Sequence, residues 1–128
     1  MTKAGSEEEL CFQLARYMQL KHPDVPYHFD YGSGTKLTKG QAIKQKRLNK
    51  RAWPDLFIAA AGYRPAIYSG LFIELKTEKH RLKNGGIAQT DHVREQYETL
   101  AALRMQGYAA DFACGFDEAV KLIEDYLR

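Results

Sequence analysis

Trp53-Pro54-Asp55-Leu56-Phe57-Ile58-Ala59-Ala60-Ala61 and Gly70-Leu71-Phe72-Ile73-Glu74-Leu75-Lys76-Thr77 are the two stretches that decide how this chain folds. Each is a short apolar run with aromatic and β-branched residues, and Gly62, Pro65 and Gly70 break the chain between them. That pattern predicts two buried strands joined as a hairpin, over Asp55–Ala61 and Leu71–Thr77. Strand residues two apart share a face, so Glu74 and Lys76 project together while Leu75 points the other way. The hairpin folds Asp55 back toward them, and two carboxylates and one ammonium then converge at a sheet edge.

Toward the N-terminus, Ser6 and Glu9 have capping-box spacing, and Leu10, Leu14, Tyr17 and Met18 recur on one helical face. A helix is expected over Glu7–Leu20, ended by His22-Pro23. Val25–Asp30 alternates as a short strand. Gly32, Gly34 and Gly40 interrupt the polar, basic stretch that follows, which reads as a loop with a short helix over Gln41–Asn49. Toward the C-terminus, the basic, glycine-containing Lys79–Gly86 leads into a helix over Thr90–Met105, with Val93, Tyr97, Leu100 and Leu103 or Arg104 inward. Gly107 stops it. Tyr108–Cys114 returns as a strand, and Phe116–Leu127 forms a last helix burying Phe116, Ala119, Val120, Ile123 and Leu127. The expected fold class is α/β, a mixed central sheet flanked by helices, in one domain spanning residues 1–128.

The composition suits that reading, since 128 residues with 45% hydrophobic and 27% charged content can bury one core. Leu56–Gly62, the longest apolar run, is far too short to cross a bilayer, so no membrane association is expected and the chain reads as intracellular. Cys11 and Cys114 fall in a helix and a strand and read as buried reduced thiols. His22, His28, His80 and His92 lack metal-ligand spacing. A net charge of +3 says little by itself, but its distribution says more. Lys36, Lys39, Lys44, Lys46, Arg47, Lys50 and Arg51 accumulate with no acid among them, whereas acids outnumber bases from Asp111 to Asp125. Such asymmetry suits a face that binds a polyanion, against the commoner outcome of a solvated basic segment.

Carboxylates at a strand end, helped by a main-chain carbonyl, are the ligands of a hard divalent cation. Such an ion acidifies a bound water and neutralises charge building on a phosphate, and Lys76 is placed to orient the nucleophile or stabilise the transition state. Phosphodiester hydrolysis is the reaction this cluster suits. The plainer alternative is a salt bridge between Lys76 and one of the acids.

Pro-Asp on one strand and Glu-x-Lys on the next resemble the PD-(D/E)xK nuclease superfamily, and more closely its virus-type replication-repair branch, the VRR-NUC domains. The likeness runs over nearly the whole chain. It comprises an acidic start to the first helix, Trp53-Pro54-Asp55-Leu56-Phe57, Gly70 to Thr77, a helical glutamine followed by Gly107-Tyr108, and the closing helix from Gly115-Phe116-Asp117-Glu118-Ala119. The resemblance implies a restriction-endonuclease-like core in which Asp55, Glu74, the Leu75 carbonyl and a glutamate of the first helix hold the metal, and Lys76 serves the nucleophile. Among Glu7, Glu8 and Glu9, Glu7 fits best, because it precedes Leu10, Leu14 and Tyr17 by three, seven and ten residues; it also suits a helix N-terminus as a simple acid. Gln96, eleven residues before Gly107, matches the helical glutamine as an active-site helper. The glycine these domains often carry before Pro-Asp is absent, with Arg51-Ala52-Trp53 in its place.

The resemblance implies further expectations. They are a Mg2+- or Mn2+-dependent DNA endonuclease of the bacterial or phage-infected cytoplasm, and DNA repair on branched substrates in the manner of a Holliday-junction resolvase. A junction needs two cuts, so a homodimer is expected. Lys36, Lys44, Lys46, Arg47, Lys50 and Arg51 would contact the DNA. The rivals are a nuclease directed to duplex or to a sequence, and a DNA-binding module without catalysis.

Overall fold

The computed structural model describes residues 6–30, 37–49, 52–63 and 65–128. Helix α1 (Glu7–Lys21) starts where Ser6 accepts a hydrogen bond from the Glu9 N–H, and it buries Leu10, Cys11, Leu14 and Met18. Strand β1 (Tyr27–Phe29) follows. Helix α2 (Lys39–Leu48) begins two residues earlier than the sequence predicts, because Thr38 and Gln41 form a full capping box. It buries none of its residues. Strands β2 (Leu56–Ile58) and β3 (Leu71–Lys76) form the expected antiparallel hairpin, and Gly62 and Tyr68 bridge its far end. β2 is shorter than predicted at both ends. Pro54 has no N–H for the ladder, and the strand pairing ends with the Asp55 carboxylate taking the Leu75 N–H at 2.8 Å.

A 3-10 turn (Glu78–His80) and a small loop closed by the Arg81–Ile87 bridge lead to α3 (Asp91–Met105), β4 (Ala109–Cys114) and α4 (Phe116–Leu127). Gly115, at φ +94°, makes the turn from β4 into α4. The sheet runs β1-β2-β3-β4, antiparallel except for the parallel β3–β4 pair. It is the mixed, helix-flanked sheet expected from the sequence.

Alternation along the strands sorts two cores. Leu56 and Ile58 of β2, Leu71, Ile73 and Leu75 of β3, and Ala113 of β4 pack with α1 and α4 on one face. Phe72, Ala110, Phe112 and Cys114 pack with Val93, Leu100 and Leu103 of α3 on the other. α3 is turned by one residue from the expected stripe, so that Gln96 is buried and Tyr97 stays 40% exposed, its ring against Phe112 with centroids 4.7 Å apart. A tyrosine can keep its hydroxyl wet at the rim of a core, which a fully inward position denies it. Both cysteines are buried and unpaired. Among the described residues, no helix is long and apolar enough to cross a membrane.

Candidate active site

The strand register sets the site. Leu56 pairs with Ile73, so the next step outward puts Asp55 across from Glu74. On the other side, the Asp30 N–H donates to the Asp55 carbonyl at 2.8 Å, continuing the β1–β2 register by one residue. Phe112 is the β4 partner of Glu74. Asp30, Asp55, Glu74 and Phe112 therefore form one cross-strand row; Glu74 and Phe112 belong to the α3 face of the sheet, and Lys76 stands one alternate position further along β3.

Glu74 is 4% exposed and Lys76 6%. Burial pushes the Glu74 carboxyl up to about 11, reinforced by its hydrogen bond to Asp55 and by the Asp55 charge; Lys76 pulls it down and Glu7 adds a further upward push. Asp55 and Glu74 thus sit in hydrogen-bond contact, and loss of water and the neighbouring acid together favour the protonated form of Glu74. The Cys11 thiol is pushed up to about 12, first by burial and then by Asp55, Glu7, Glu8 and Glu74. That ordering places the first turn of α1 within electrostatic reach of the sheet acids.

Glu7 is half-buried and Glu8 exposed. Glu9 turns away, into a cleft it shares with Thr77, Glu78 and Phe116. Of the three, Glu7 is the one whose charge reaches Glu74. Among the described residues, no three carboxylate, imidazole or thiol side chains converge into a ready ion site; Asp55 and Glu74 are the two expected side-chain ligands brought into contact.

Gln96 is 4% exposed, its amide nitrogen is 3.2 Å from His92 Nε2, and its Oε1 has no hydrogen-bond partner. An orphaned buried acceptor on the helix that packs over this face is a polar group in need of a donor. Of the basic residues, Lys44, Lys46 and Arg47 stand on α2, and Lys44, Lys46 and Arg47 are all exposed. Lys36, Lys50 and Arg51 lie outside the described residues.

Asp30 was not singled out from the sequence, and only the register of a short strand reveals it. Trp53 belongs to the quoted motif but was not singled out as a site residue, because exposure, here 44%, is not readable from an aromatic next to a strand.

Along 98% of its length the chain superposes on 91% of a solved structure named "VRR_NUC domain protein", with a TM-score of 0.69 and 23% sequence identity. This is the VRR-NUC fold. At that identity the likeness is one of architecture, and in the VRR-NUC fold of this chain Pro-Asp immediately precedes β2 while Glu-x-Lys ends the antiparallel neighbour β3. No family model matches the sequence. No curated protein matches it either.

Proposed function

We propose that the chain is a divalent-metal-dependent DNA endonuclease acting on branched DNA. The observation that carries this reading is the contact between the buried Glu74 carboxyl and the half-buried Asp55, beside buried Lys76. Burying one acid against a second costs stability, and a fold has no structural use for a penalty that an apolar side chain would remove; such costs accumulate at functional sites.

The donors fit a hard cation, Mg2+ or Mn2+, since all are oxygens and a bound cation would offset the crowding of acids that raises Glu74. Asp55, Glu74 and the Leu75 carbonyl would hold the ion. When bound, it supplies charge neutralisation on a phosphate and a more acidic water. Lys76 orients the attacking water and stabilises the developing charge. Glu7 acts from outside the pair, and Gln96 Oε1 accepts a hydrogen bond from a site water. Exposed α2, with Lys44, Lys46 and Arg47 and no acid of its own, takes the phosphates of the flanking duplex. The preference for branches, and for two copies acting on one junction, rests on the resemblance to the stand-alone VRR-NUC proteins.

The test is a panel of four-way junction, flap, duplex and single strand, with and without magnesium, on wild type and Asp55→Asn. Metal-dependent cutting of the junction, lost in Asp55→Asn with binding retained, is expected. Cutting of linear duplex at a sequence would overturn the branch preference. Binding without cutting in every metal would leave a DNA-binding module.

A further inference from the structure

Trp53 is the only tryptophan of the chain and stands two residues before Asp55. A large aromatic held 44% exposed beside a candidate active site is not serving the core alone. Its ring is nonetheless fixed. One edge meets Phe72, with centroids 5.3 Å apart at 81°, and Phe72 stacks on Phe57 at 4.5 Å and is flanked by Tyr108. Ahead of it Ala52 sits at φ 60°, a left-handed conformation that a residue with a Cβ adopts only under constraint. Behind it Pro54 is fully buried, with its own φ locked. Strain on one side and a buried proline on the other leave the indole presented, rigid and open.

Beyond the indole lies a cleft of about 530 Å³, walled on the α3 side by Glu95, Glu98, Thr99 and Gln106. Two carboxylates on that wall repel a phosphate, so the cleft suits the flat, uncharged part of a nucleotide and not its backbone. Two extended residues span at most about 7 Å, so a base on Trp53 belongs to a nucleotide near the phosphate held at Asp55 and Glu74.

We propose that Trp53 is a stacking platform for an unstacked base of the DNA, and that it supplies part of the preference for branches. This rests on the nuclease reading above. A base at a branch has already lost a stacking partner, so laying it on the indole costs little; a base in continuous duplex must first be pulled from the stack.

The lone tryptophan reports on its own occupancy. The Asp55→Asn chain, which is not expected to cut, is titrated with a four-way junction, a 12-nucleotide single strand and a blunt duplex, following indole emission and the anisotropy of end-labelled DNA. Saturable quenching by the junction and the single strand, with little by the duplex at equal occupancy, is expected. Trp53→Ala should weaken junction and single-strand binding about 5- to 100-fold and leave duplex binding within about twofold, and Trp53→Phe should recover part of the loss.

Quenching is read on the native tryptophan, so a Trp53→Ala chain that fails to fold does not decide the matter. Junction binding seen by anisotropy without quenching, or equal weakening on all three DNAs, would overturn the platform and leave the nuclease intact. Absence of binding to any DNA would instead overturn the nuclease reading.

Discussion

Replacing Glu74 by glutamine should remove cleavage and at the same time make the metal-free protein more stable. The Glu74 carboxyl keeps its proton to about pH 11 in the folded chain, against 4.5 in the unfolded one. Above 4.5 the unfolded chain releases that proton and the folded chain does not, so stability falls as pH rises, by up to about 1.4 kcal/mol per unit. Between about pH 5 and pH 7 the ceiling is about 3 kcal/mol. Glutamine has the same shape, can donate its amide to Asp55, and has no proton to retain. The advantage of Glu74→Gln over wild type should therefore grow by about 1–3 kcal/mol across that interval, or roughly 3–10 °C in midpoint for a chain of this size. Urea midpoints measured with a chelator at several pH values give the difference, in which the histidines and every other group common to both chains cancel. Magnesium should raise the wild-type midpoint by mass action and leave the variant where it was. A difference that does not change with pH, or a variant less stable throughout, would refute the shared proton and with it the argument that the pair is maintained at a cost.

Neutralising Lys44, Lys46 and Arg47 together should weaken DNA binding and reduce the slope of log affinity against log salt by up to about 3, since each phosphate contact contributes about 0.9; an unchanged slope means that α2 is merely solvated. Lys76→Ala should retain metal and DNA binding yet slow single-turnover cleavage about 100-fold or more, and Lys76→Arg should not rescue it, because a planar, permanently charged fork cannot replace a compact amine. A near wild-type rate would remove Lys76 from the mechanism. Ala52→Val should cost at least about 1 kcal/mol in urea denaturation, because a β-branched residue is poorly tolerated at positive φ. Ala52→Gly should change stability by less, since relief of strain is offset by the freedom glycine gains in the unfolded chain.

The elements legible from the sequence are those whose pattern is local. α1, α3, β4 and α4 each carry a cap or a breaker beside a repeating apolar stripe, and their observed bounds fall within one residue of the expected ones. The hairpin was readable because glycine and proline separate two apolar runs. The one-residue turn of α3 was not. Gln96 and Tyr97 are adjacent, either completes a helical stripe with Val93 and Leu100, and hydropathy favours the aromatic. What settles the rotation is the opposite wall, where Phe112 accepts a ring at its flank and leaves the buried slot to a slimmer side chain. No window of sequence contains that wall. The missing glycine before Pro-Asp is a similar case. The sequence shows only that Arg51-Ala52-Trp53 stands there, while the structure shows Ala52 in a left-handed conformation.

The site divides along the same line. Parity alone puts Glu74 and Lys76 on one face, and a tight hairpin needs no further information to return Asp55 to them. The stripe on its own helix singles out Glu7 among the three consecutive glutamates. Asp30 and Trp53 depend on more. Asp30 enters the carboxylate row only because β1 pairs with β2 in a register where residue numbers sum to 85, and a shift of one residue would have turned it to the opposite face. Trp53 stands exposed between a left-handed Ala52 and a buried Pro54, neither of which the sequence pattern announces. Residues whose placement works against their own propensity are invisible to pattern reading for that reason. They are also the positions where the surrounding fold is spending stability, so they mark the places at which a function beyond the expected acids and lysine is most worth testing.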